Sequence, residues 1–205
     1  MKQKRKFGGM LGVMLLGVFA LTSCVQDDMY ELYDDGFESG FVRSKKRKDN
    51  GGVSESELNY ARLWIASNAP IDGECVATTI CSVTSKSITE VRNLIGPEIF
   101  GNSNWEVSYV RYVQKGGIPG ENTAISLINK HCNMQTHTSD WESYKASHMG
   151  TDDQGHDTIT IAGTIVAQVG GQHWGVLTGL KKVDGVWQCT VGGTTFANPI
   201  TNVLW

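Results

Sequence analysis

Proline is scarce, with four in 205 residues, and no apolar run is long enough for a membrane-spanning helix. The longest, Phe7 to Leu21, has fifteen residues and four glycines, against the roughly 20 apolar residues a span needs. A multipass membrane protein is therefore excluded. There is no CxxC pair, the Cys and His residues are scattered, and no glycine-rich phosphate loop appears. No zinc or other metal site and no cofactor are expected. Nor is there a basic excess: 18 Lys and Arg stand against 21 Asp and Glu, a net charge of −3. All four charges in residues 1–23 are basic (Lys2, Lys4, Arg5, Lys6), so a chain without them carries −7. That balance speaks against a nucleic-acid partner. What is present, 40% hydrophobic residues and 24 glycines without an internal repeat, suits a mixed domain rich in turns.

The first residues follow an export pattern: the basic start KQKRK, the apolar run to Leu21, then small residues before Cys24. LTSC at 21–24 resembles the lipobox of bacterial lipoproteins. That resemblance implies a signal peptide over 1–23 and acyl chains on Cys24. A lipid anchor holds a protein to a membrane surface without a spanning helix, here in the bacterial cell envelope. Residues 24–53 read as a tether, acidic and aromatic at first, then basic (RSKKRKD), then polar. The folded domain is expected over 54–205.

Within it, Leu58, Ala61, Leu63, Trp64 and Ile65 suggest a helix over 57–66, and Val76, Ile80 and Val83 one over 75–84. Ser87 and Glu90 form a capping box for another, which Gly96-Pro97 is expected to stop. Ala124, Ile125, Ile128 and Cys132 mark a helix over 121–133. From Thr158 on, β-branched and aromatic runs alternate with Gly-Gly or KKVDG, with Asp184 at a hairpin tip. Helices first and an antiparallel sheet second make the class α+β.

Cys75 opens the second helix, where the positive helix end favours thiolate over the ordinary thiol pKa of about 8.5. A cysteine nucleophile also needs a base from elsewhere in the fold. His173, in GGQHWGVLTGL, opens an apolar strand after a glycine pair and is the best candidate. His131, His137, His148 and His156 lie in helical or polar surroundings. The plainer alternatives stay open: a small buried cysteine at a helix start, and a core or sheet-edge histidine. Cys81 lies about 240° around the helix from Cys75, so the two do not bridge.

GECVATTICSV is similar to the nucleophile segment of streptopain-like cysteine peptidases, in which a glycine precedes a CVATA-type helix. HWGVLTG is similar to the histidine strand of the papain superfamily, with Gly179 six residues past His173. The order of elements fits papain-like and bacteriocin-processing peptidases, over roughly residues 60–195. The resemblance implies a papain-like fold with N-terminal helices packed on a C-terminal antiparallel sheet. It makes Cys75 the nucleophile and His173 the general base. The Cys75 backbone N–H and Asn68 become the oxyanion donors. The orienter of the imidazole, normally Asn or Asp, falls on Thr190, with Asn198 as the alternative.

The expected function is that of an exported lipoprotein thiol hydrolase that cleaves peptide or amide bonds in a peptide or protein substrate. The alternatives are a catalytically impaired binding domain and a cell-wall amidase or acyltransferase on the same fold.

Overall fold

The computed structural model describes residues 52–67, 73–101, 103–117 and 119–205. The signal peptide, Cys24, nearly all of the tether and Asn68 lie outside them. Among the described residues no helix is long and apolar enough to cross a membrane.

Five helices come first. α1 (Glu55–Ile65) starts two residues earlier than its apolar pattern suggests, because Ser54 caps it. The Ser54 hydroxyl accepts from the Glu57 N–H at 3.3 Å, and the Glu57 carboxylate accepts from the Ser54 N–H at 2.9 Å. α2 (Cys75–Thr84) occupies the expected span and ends on Ser85 in the left-handed region, φ 59°. α3 (Ile88–Phe100) carries the expected Ser87–Glu90 capping box but runs through Gly96-Pro97. The glycine there serves packing and not termination: a Cβ at Gly96 would run into the Trp105 ring. The helix stops at Gly101, φ 60°. α4 (Trp105–Gln114) was not expected, since WEVSYVRYVQ is rich in β-branched and aromatic residues of low helix propensity. Burial of Val107, Tyr109, Val110 and Val113 along one face overrides that preference. α5 (Glu121–Cys132) ends at Asn133, φ 54°.

A 3₁₀ turn (Thr138–Asp140) and α6 (Trp141–Ser147) lead into seven strands. These are β1 (Met149–Thr151), β2 (Asp157–Ile159), β3 (Ile165–Val169), β4 (His173–Val183), β5 (Val186–Val191), β6 (Thr194–Phe196) and β7 (Ile200–Leu204). The strands form one sheet and every pairing is antiparallel. The long β4 organises it. Its first half lies against β3, its second half reaches β2, and β5 pairs with it from Leu177 to Val183. The β4–β5 hairpin turns at Asp184-Gly185, both at positive φ (51° and 81°), as a tight hairpin turn demands.

Period-two alternation gives the sheet two buried faces. Val166, Trp174 and Leu204 join α2, α3, α4 and α5 in one core. Ile165, Ala167, Val169, Leu177, Val191 and Val203 form a second core beneath Trp141. All five residues of β3 are buried, so that strand lies inside both. The architecture is thus α+β, an open antiparallel sheet with α2–α5 on one face and α6 on the other.

Candidate active site

Cys75 is the first residue of α2 and is 9% exposed. The chain enters the helix through Gly73, whose φ of +87° suits only glycine, and through Glu74, which makes no side-chain cap. The first turn is stiffened from within: the hydroxyls of Thr78 and Thr79 donate to the Cys75 carbonyl at 3.0 and 2.6 Å. The Cys75 thiol donates across to the main-chain carbonyl of Gln172 at 3.8 Å. A residue of the helical half therefore meets the residue just before His173, 97 positions away in the chain.

His173 begins β4 after the tight Gly170-Gly171 turn, where φ is 59° and 72°. Gln168, 1% exposed, holds that turn. Its amide nitrogen donates to the Gly171 carbonyl at 2.8 Å. Its amide oxygen accepts from Asn202 at 2.6 Å and from Thr201 at 3.1 Å. Alternation then sends Trp174 into the core shared with Cys75, while the His173 ring rests against Phe196, 5.0 Å between centroids. Nε2 of His173 is buried and has no hydrogen-bond partner. It faces Gly192, where a Cβ would stand 3.5 Å away. The thiol and the imidazole thus share one end of β4, linked through the Gln172 main chain and not by a bond between the two side chains.

The remaining expected residues fall as follows. Thr190 is not brought to His173. It pairs with Gly179, six residues along β4 or about 20 Å at strand rise, and its hydroxyl bonds that of Thr195 at 3.1 Å. The β4–β5 ladder ends at Leu177 opposite Val191, and the chain then turns at Gly192-Gly193 (φ 57° and 84°) beside the start of β4, where the Gly192 N–H donates to the Val176 carbonyl at 2.9 Å and Gly192 reaches the imidazole. Asn198 comes closer, its amide packed over Gly170 in the turn, but makes no hydrogen bond to the ring. Asn68 and Cys24 lie outside the described residues. Gly192 and Gln168 escaped sequence reasoning. Gly192-Gly193 does stand as a turn signal after VWQCTV, yet laying VWQCT on the orienter's strand selects Thr190.

Burial decides the electrostatics. It holds the His173 imidazole below its ordinary 6.5. It pushes the Tyr112 phenol up to about 12, with the charge of a Cys75 thiolate adding to the effect. It raises the thiols of Cys81 and Cys189, and that of Cys132 to about 11. Those three are poor nucleophiles at neutral pH, and among the described residues no cysteine forms a disulfide. No group of three His, Cys, Asp or Glu among the described residues is placed to hold a metal.

A neutral buried imidazole has a consequence for stability. Between pH 6.5 and the lower folded value, the unfolded chain binds a proton that the folded chain refuses, so stability falls as pH drops through that window. The denaturant midpoint of the wild type is expected to decline on acidification from pH 7 to 5 more steeply than that of His173→Leu. Equal slopes would show that the ring is not held neutral.

No family model matches the chain, and no curated protein or solved structure is similar to it.

Proposed function

We propose that residues 54–205 form a papain-like thiol hydrolase acting on peptide or other amide bonds, carried by an exported lipoprotein anchored through Cys24. The observation that carries this reading is the meeting of the Cys75 thiol, at a helix N-terminus, with the main chain that presents His173. In the proposed reaction, His173 takes the thiol proton as the sulfur bonds to the substrate carbonyl carbon. The imidazolium returns that proton to the leaving amine as the C–N bond breaks. Water then cleaves the thioester, releasing a carboxylate and restoring the thiol. The Cys75 backbone N–H, with Asn68, supports the transient oxyanion.

Cys75→Ala is expected to abolish labelling by a thiol-directed peptidase probe and all amide hydrolysis. Equal labelling of mutant and wild type would sink the reading.

One observation favours a second reading, a catalytically impaired binding domain: the unpartnered Nε2 over Gly192, where papain-like enzymes have Asn or Asp. Peptide binding without turnover, unchanged in Cys75→Ala, would select it. A cell-wall amidase or acyltransferase uses the same nucleophile and differs in substrate.

A further inference from the structure

Two ionised side chains lie fully inside the protein immediately behind the thiol. Glu74 precedes Cys75, and Arg92 reaches it from α3; both side chains have no solvent exposure. Arg92 grips the carboxylate with both prongs, Nε to Oε1 at 2.8 Å and Nη2 to Oε2 at 2.7 Å. The Tyr109 hydroxyl donates to Oε1 at 2.9 Å. The remaining guanidinium nitrogen, Nη1, donates to the carbonyls of Ser67 at 2.7 Å, Ile65 at 3.2 Å and Trp64 at 3.4 Å. The Trp64 ring lies 4.5 Å from the guanidinium carbon. One side chain thereby ties the end of α1 to the start of α2, on both sides of residues 68–72.

Such a pair is a poor way to gain stability, because desolvating two charges roughly cancels their attraction and apolar replacements of similar volume do as well or better. What the fork supplies is geometry and charge balance. It draws the Glu74 carboxylate away from the first turn of α2, where Glu74 caps nothing with its side chain. It also neutralises a negative charge one residue from the sulfur, a charge that opposes thiolate formation. Other ionisable groups packed around this region are Cys81 of α2, which feels the charges of both Glu74 and Arg92, Tyr109 and Tyr112 from α4, Cys132 from α5 and His173 at the head of β4.

We propose that Arg92 is a positioning residue for Cys75, acting through Glu74 to fix the helix end that presents the thiol and to shield it from the Glu74 charge. The inference rests on the thiol-hydrolase reading for its kinetic arm, and its alkylation arm is independent of any activity.

The test compares wild type, Arg92→Met, and the double variant Glu74→Leu with Arg92→Met. Iodoacetamide modification of Cys75 is followed by peptide mass across pH, beside denaturant midpoints and amide-hydrolysis kinetics. The double variant is expected to be more stable than Arg92→Met but below wild type, since the Ser67, Ile65 and Trp64 carbonyls and the Tyr109 hydroxyl lose their partners, and to show kcat at least tenfold lower with KM within twofold. Arg92→Met, left with a buried carboxylate that has lost its counter-charge, is expected to shift the midpoint of Cys75 alkylation upward, and the double variant to return that midpoint toward wild type. A double variant as fast as wild type, whatever its stability, with the alkylation midpoint of Arg92→Met unmoved, would reduce the pair to a structural element. If no variant, wild type included, hydrolyses amides, the hydrolase reading fails and the alkylation midpoints alone decide the role of Arg92. If Arg92→Met does not fold, the double variant and Arg92→Lys replace it. Lysine keeps the charge without the fork, so a wild-type kcat in Arg92→Lys overturns the proposal.

Discussion

Gly192→Asn is expected to raise kcat/KM for amide hydrolysis, on the order of 10- to 100-fold, where most substitutions near a reacting centre lower it. In Cys-His hydrolases the imidazole works well only when its far nitrogen is held by an acceptor that sets tautomer and orientation, and loss of such a partner in related triads costs up to about 10⁴ in rate. Here that nitrogen, Nε2, is buried without a partner and faces a residue lacking a side chain. A Cβ at 192 would stand 3.5 Å from it, so an asparagine oxygen two bonds further out is within reach to accept the Nε2–H. The backbone permits the change, because φ is +57° at Gly192, a conformation that asparagine tolerates better than other side chains. Gly192→Ala is the control, since it adds the same backbone strain and no acceptor. Asparagine performing no better than alanine would show that the ring is not limited by its anchoring.

Trp174→Ala is expected to cost about 3–5 kcal/mol, the range for emptying the site of a buried large aromatic. Trp174 is 1% exposed and belongs to the core that α2, α3 and α5 share with the sheet, so its removal loosens the contact between the two halves beside Cys75. Trp174→Phe should be far milder. The indole Nε1 is buried with no hydrogen-bond partner, and a polar group in that state costs about 1–3 kcal/mol. Phenylalanine removes that penalty while leaving a smaller void, and the two effects oppose each other. Chemical denaturation of both variants provides the measurement. Phenylalanine as damaging as alanine would mean that the indole N–H is satisfied in solution.

The apolar spacing and caps made much of this fold readable. Ser87 with Glu90, the stripe Val76–Ile80–Val83 and the turn Asp184-Gly185 are local signals, settled within a few residues of chain, and the elements stand where those signals put them. The exceptions share a cause. Gly96-Pro97 resembles a stop, but the glycine is there for the Trp105 ring, a neighbour from another helix. α4 has weak intrinsic preference and is helical because one face is buried.

The site divides in the same way. Cys75 and His173 stood out by sequence because helix starts and glycine-flanked strand heads are written locally. Which residue faces His173 Nε2 was not, since it depends on where the β4–β5 ladder ends and on the Gly192-Gly193 turn that then lies beside the start of β4. The Glu74–Arg92 clamp was equally hidden, as its partners lie 18 residues apart and neither looks buried in the sequence. By itself the sequence determined the helices, the hairpin and the two residue types able to do thiol chemistry, because backbone propensity and capping act over single turns. Only the tertiary structure decided what surrounds them, because strand register and the pairing of buried charges depend on contacts between distant parts of the chain.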